Sequence, residues 1–263
     1  MLPAAFADER RDADVVDAVC AQCHSGPSPR LVDGTALRNA SEALDLAASP
    51  CRGVRCTDCH DPHRADARAD EGRAAAACVR CHDALGAPAT ARAHAGRGHE
   101  AASCLDCHMP RLVMGIDRFV RTHRISSPTD ARLISDDAPN ACNLCHIDRT
   151  LRWTVDALRD GWDVRLSPRR ALDEPAGERW LASASPALRI LAARALAHSP
   201  FAAASRRELA RGLADPLAYV RAWTKFALED ALGHPISLSD FDPRASAAVR
   251  ARKIDALLSA RPP

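Results

Sequence analysis

Five times this chain repeats one spacing, two cysteines enclosing two residues with a histidine directly after: Cys20, Cys23 and His24; Cys56, Cys59 and His60; Cys78, Cys81 and His82; Cys104, Cys107 and His108; Cys142, Cys145 and His146. The stretch that carries the repeats has little else to fold around. Of the chain's aromatic residues, four Trp, one Tyr and five Phe, only Phe6 and Phe119 fall within residues 1–147. Folded domains offset chain entropy with bulky apolar side chains. Whatever the repeats bind must therefore supply the missing buried surface, and this half is expected not to fold without it.

The spacing is the one that covalent c-type haem attachment needs. Two thiols a short arc apart add to the two vinyl groups of one porphyrin, and the next imidazole turns onto its iron. The reading is five covalently attached haem c groups, with the ten motif cysteines as thioether anchors. His24, His60, His82, His108 and His146 are the proximal iron ligands. Zinc is the competing reading, since the pairs Cys56/Cys59 and Cys78/Cys81 are spaced as in a four-cysteine site. A zinc ribbon has no use for trailing histidines. With 11 histidines in 263 residues, their chance appearance after all five pairs has odds on the order of one in ten million.

The rest of the chain differs. It holds Trp153, Trp162, Trp180, Phe201, Tyr219, Trp223, Phe226 and Phe241 and no cysteine after Cys145. The expected organisation is an N-terminal extension over residues 1–19, a pentahaem domain over 20–147 and a helical domain over 148–263. The fold class is mainly α: a cofactor-dominated multihaem domain with little regular structure, then an all-α repeat domain. A net charge of +2 argues against a nucleic acid or an anionic membrane surface as partner. No apolar run approaches the roughly 20 residues that cross a bilayer, so no integral membrane segment is expected.

Haem attachment of this kind takes place outside the bacterial cytoplasm, so a periplasmic or otherwise exported location is expected. Residues 1–10 lack the charged and apolar regions of a secretory signal, although Ala5-Phe6-Ala7 reads as a cleavage site. The expectation is that a signal segment stands upstream of Met1.

Each iron has a second axial position. Of the six histidines outside the motifs, His63, His94, His99 and His123 lie in the first half and are the candidate distal ligands. His63 follows His60 too closely to reach the opposite face of the same porphyrin, so it should serve a neighbouring haem. His198 and His234 read as helix-end or surface residues. Four distal histidines leave a fifth iron, for which Met114, Met109, Cys51, water or substrate remain open. Residues 25–29 read as a turn and residues 35–48 as a short helix.

Cys56-Thr57-Asp58-Cys59-His60-Asp61-Pro62-His63, and His99 ahead of Cys104-Leu105-Asp106-Cys107-His108-Met109-Pro110-Arg111, resemble the multihaem cytochromes related to cytochrome c nitrite reductase and its tetrahaem relatives. Thr122-His123-Arg124-Ile125 with Ala138-Pro139-Asn140-Ala141-Cys142 is similar to a subgroup in which a haem domain precedes helical repeats. The resemblance implies distal roles for His63 and His99, and also for His123. Nitrite reductases of that group typically end the catalytic motif in lysine, whereas all five motifs here end in histidine.

Residues 150–160 carry Leu151, Val155 and Leu158 at helical spacing, with Trp153 and Trp162 available for docking on the haem domain. Leu188-Arg189 and Ala195-Leu196 recur 32 residues later as Val220-Arg221 and Ala227-Leu228, each set shortly after a proline. An opening proline, an outward arginine and an Ala-Leu inner face resemble HEAT-type repeats. Two functions compete. One is an electron carrier between redox partner proteins, with the helical domain as docking surface. The other is a haem enzyme acting on a small nitrogen or sulfur oxyanion at one five-coordinate iron.

Overall fold

Alanine, leucine and arginine, all strong helix formers, recur throughout the sequence, and helix is what most of it forms. The computed structural model describes residues 13–51, 53–63, 71–135, 138–167, 173–202 and 205–259. It is mainly helical, with one two-stranded antiparallel sheet among the described residues. No helix among them is long and apolar enough to cross a membrane. Residues 1–12 of the N-terminal extension, with the expected cleavage site, lie outside the described residues. The chain divides into two units, residues 1–115 with 119–127, and residues 116–118 with 128–263.

The first unit is built from short helices: α1 (Ala13–His24), α2 (Glu42–Ala47), α3 (Cys56–Cys59), α4 (Glu71–Val79), α5 (Pro88–Ala95) and α6 (Cys104–His108). Strands β1 (Arg111–Met114) and β2 (Phe119–Arg121) form a hairpin that pairs Val113 with Val120 and Met114 with Phe119. Its small apolar core consists of Ala36, Leu37, Leu105, Leu112, Val113, Met114 and Phe119. Of the helix expected over residues 35–48, only α2 exists. The Asp33 carboxylate accepts from Thr35 N and Thr35 Oγ1, Ser28 Oγ accepts from Leu37 N and Arg38 N, and Asp45 accepts from Ala36 N. Side chains thus take the backbone donors a helix would need. Leu37 and Asn39 pair instead with Met114.

The second unit holds α7 (Ala131–Ser135), α8 (Ala141–Cys145), α9 (Leu151–Trp162), α10 (Ala176–Leu181), α11 (Pro186–His198), α12 (Arg206–Ala214), α13 (Ala218–Leu232) and α14 (Ala247–Ser259). The helix expected over 150–160 is α9. Thr150 caps it, its hydroxyl accepting from Trp153 N at 3.0 Å, while Leu151 and Leu158 pack with Ile134. Helix α11 is the centre of this unit: Ile190, Leu191, Ala192 and Ala193 are wholly buried, and α10, α12 and α13 pack around it. A Cβ at Gly212 of α12 would lie 2.6 Å from Thr224 Oγ1 of α13, so only glycine permits their approach.

Two expectations change. The repeated arginine does not face outward. Arg221 is 6% exposed because three carbonyls take its guanidinium: Pro243 at 2.6 Å, Asp215 at 2.6 Å and Pro216 at 2.8 Å. Its counterpart Arg189 donates to the Asp215 carboxylate at 2.7 Å and to the Ser183 carbonyl at 2.7 Å. Each arginine ties its helix to loops beside it, and Asp215 serves both. The other change is the boundary, which falls at 127/128 rather than 147 and groups the fifth motif with the helical unit. Buried Asn143, between Cys142 and Cys145, explains this. Its amide oxygen accepts from Thr154 Oγ1 at 2.7 Å, and its amide nitrogen donates to the His146 and Arg149 carbonyls. Ile147, 1% exposed, packs at Gly177 of α10.

Candidate functional site

In a helical turn, residues i, i+3 and i+4 share a face, so a Cys-x-x-Cys-His segment in helical form presents two thiols and an imidazole together. Four motifs adopt such a turn. The first closes α1, the second spans α3 into His60, and the fourth and fifth occupy α6 and α8. The third straddles the end of α4, with Cys81 and His82 just beyond it and exposed. The helices carrying the four motifs of the first unit pack in chain order: α1 on α3, α3 on α4 and α4 on α6.

The residues between the cysteines close these turns. Asp58 Oδ2 accepts from Arg55 N at 2.9 Å, and Asp106 Oδ2 accepts from Ser103 N at 2.9 Å. Ser103 Oγ returns the favour at Leu105 N, completing a reciprocal cap. Asn140 Oδ1 accepts from Asn143 N in the fifth motif. Each aspartate also holds an arginine, Asp58 with Arg80 at 3.3 Å and Asp106 with Arg121 at 2.8 Å. A Ser-x-x-Asp pattern around Cys104 was open to inspection; the arginine partners, 22 and 15 residues away, carry no local signal.

All eleven cysteines are unbridged. Burial and the neighbouring Asp17 carboxylate push the Cys56 thiol up to about 12, and burial, with Asp58 adding to it, raises Cys59. Among the described residues no three of His, Cys, Asp and Glu converge as a metal cluster.

Two of the four candidate distal histidines sit against motif histidines. The His60 and His123 rings have centroids 6.0 Å apart and planes at 25°. The His94 and His108 rings have centroids 6.0 Å apart and planes at 11°. A metal ~2 Å from one nitrogen of each of two imidazoles places their centroids roughly 6 Å apart. The Nδ1 atoms of His60 and His123 are buried without a hydrogen-bond partner, and desolvation holds His123 below its ordinary pKa. His108 Nδ1 bonds the Ser126 carbonyl at 2.8 Å, so Nε2 is the nitrogen with which this ring would meet a metal.

No family model, curated protein or solved structure matches this chain.

The other candidates are placed differently. His63 is exposed, its ring 3.4 Å from Asp61, and His99 is half-buried. His24 Nδ1 lies 3.0 Å from Glu42 Oε2. Burial works against the ionised form of Glu42, but hydrogen bonds from His24 and from the Glu42 and Ala40 backbones outweigh it and hold the carboxyl below the usual range. His146 packs on Trp153, centroids 4.7 Å apart. Met114 is buried in β1, and Met109 is half-buried. Cys51 is half-buried, and burial raises its thiol. His198 meets Asp230 at 3.1 Å and His234 its own Pro235 carbonyl, both as ordinary polar contacts.

Proposed function

We propose that this chain is an exported multihaem c-type cytochrome that passes electrons between redox partner proteins. The observation that carries this reading is the pairing of a motif histidine with a non-motif histidine, twice, at the spacing one iron spans. A structural cluster of imidazoles has no reason to select one member of each kind. When bound, haem c supplies one-electron exchange between ferric and ferrous iron. The chain supplies the rest. The ten motif cysteines anchor the porphyrins and the five motif histidines bind iron from one side. His123 completes the site of His60 and His94 that of His108, closing both irons to substrate. His63 and His99 stay candidates for other sites.

The chain-order packing of α1, α3, α4 and α6 favours transfer from site to site. The second unit reads as a HEAT-like array. Its related arginines, Arg189 and Arg221, fasten successive helices through one shared Asp215, and its remaining surface is the natural place for a redox partner. Exposed Leu217 and Tyr219 open α13 there.

The test is the pyridine haemochrome content of the purified protein, followed by low-temperature electron paramagnetic resonance of the oxidised form. Five haems per chain are expected. His123→Ala and His94→Ala should each convert one low-spin ferric signal into a high-spin one, while His198→Ala leaves the spectrum unchanged. Zinc in place of haem, or His123→Ala and His94→Ala spectra identical to the parent, would overturn the reading. A high-spin haem in the unaltered protein would instead favour the enzyme.

A further inference from the structure

Glu42 is held against the first motif from both ends. Its Oε2 takes the Nδ1 of His24 at 3.0 Å, and its Oε1 accepts from Ala40 N at 3.0 Å. Ala40 sits at φ 71°, a left-handed conformation that is unfavourable for a non-glycine residue. The surrounding contacts maintain it. The Ala40 carbonyl accepts from Gly26 N, and Ser41 Oγ donates to the Gly26 carbonyl at 2.6 Å. A Cβ on Gly26 would come within 3.0 Å of the Ala40 oxygen. The loop leaving His24 is therefore fastened to the residues that present Glu42, and the backbone strain sits where the carboxylate is aimed.

We propose that Glu42 is a positioning residue for the first site: its carboxylate fixes the His24 ring through Nδ1 and lowers the potential of the haem attached there. This rests on the haem reading above. A carboxylate accepting Nδ1–H makes the imidazole a stronger donor through Nε2, and a stronger donor stabilises ferric over ferrous iron. His108 provides the internal contrast, because its Nδ1 meets a neutral carbonyl, that of Ser126. Electrons arriving in the first unit are thereby biased away from the His24 site.

The test is a spectroelectrochemical titration of the holoprotein, in which each step places one electron from the electrode on one ferric iron and breaks no bond. Glu42→Gln should move one of five steps upward by about tenfold in the ferrous-to-ferric ratio at fixed potential, ~59 mV, and the step of the site holding His123 by less, because the Glu42 charge also reaches His123; the other three stay in place. Glu208→Gln, which removes the same charge on α12 of the other unit, should move none. Five haems with no step displaced by Glu42→Gln, or an equal displacement by Glu208→Gln, would overturn the role of Glu42. Absence of haem from the unaltered protein would overturn the underlying reading instead. Should Glu42→Gln fail to yield holoprotein, near-infrared magnetic circular dichroism of the unaltered ferric protein decides. One charge-transfer band displaced toward that of imidazolate ligation supports the role, and a common band for every haem overturns it.

Discussion

Asp106 has both carboxylate oxygens committed, Oδ2 to the backbone of Ser103 and Oδ1 to Arg121, so a residue between two anchor cysteines sets the local structure as well as the spacing. Ser103→Ala removes the reciprocal cap of α6 and should cost about 1 kcal/mol, read as a lower melting temperature of the holoprotein with its haem content unchanged. Asp106→Ala should cost more, since it releases Arg121, which is largely buried, from its charged partner. At this scale the sequence was most readable where partners are near. The motif cysteines and their histidines lie within one turn, and local spacing announces them. His123 could be nominated as one of four histidines and by the resemblance of residues 122–125, but with no partner attached. Its approach to His60 closes a loop across 63 residues, and loop closure leaves no trace in the residues it joins. Glu42 was invisible for the same reason. His63, singled out by its neighbouring motif, proves exposed, with a near neighbour in Asp61 to satisfy it.

Among the helices, the contact between α12 and α13 is the least tolerant of change. Gly212→Ala sets a Cβ against Thr224 Oγ1 and Cγ2 and should cost about 1–3 kcal/mol. The double variant Gly212→Ala with Thr224→Ala should recover part of that loss, and denaturant unfolding of the two singles and the double reads the coupling. Arg221→Ala should be worse, about 2–4 kcal/mol, because three carbonyls lose their charged donor together. Periodicity announced α9, since 3.6-residue spacing is a property of neighbours in sequence. The direction of the repeated arginine was misread, because charge alone argues for solvent. Only the positions of the Asp215, Pro216 and Pro243 carbonyls show that a buried guanidinium can be bonded at both Nε and Nη1. The helix expected over 35–48 failed on the same ground, when Asp33, Ser28 and Asp45 captured its backbone donors.

Over the whole molecule, the two units differ in what holds them together. The second has a core of its own, with Ile190, Leu191, Val220, Trp180 and Phe241 at 0–1% exposure. A fragment of residues 128–263 should therefore fold to a helical, cooperatively melting protein with no cofactor, as far-ultraviolet circular dichroism would show. A fragment beginning at 148 should melt lower, since it lacks Asn143 beneath Thr154 and Ile147 against Gly177. Composition gave the division into two halves but set it some twenty residues too late, because it counted the last cysteines with their kind. The buried amide network assigns them by what they touch.

On the haem reading proposed above, that amide network also bears on how the chain matures. Asn143 pins the fifth pair of thiols to a scaffold able to form by itself, whereas the first four pairs belong to a unit whose apolar core is thin without porphyrin. Newly exported chain would thus offer four pliant acceptors and one that stiffens early. A maturation enzyme that needs slack polypeptide has the least time at residues 142–146. When haem is scarce, the incompletely loaded chain should be the one missing its last group, a four-haem species with its helical half intact.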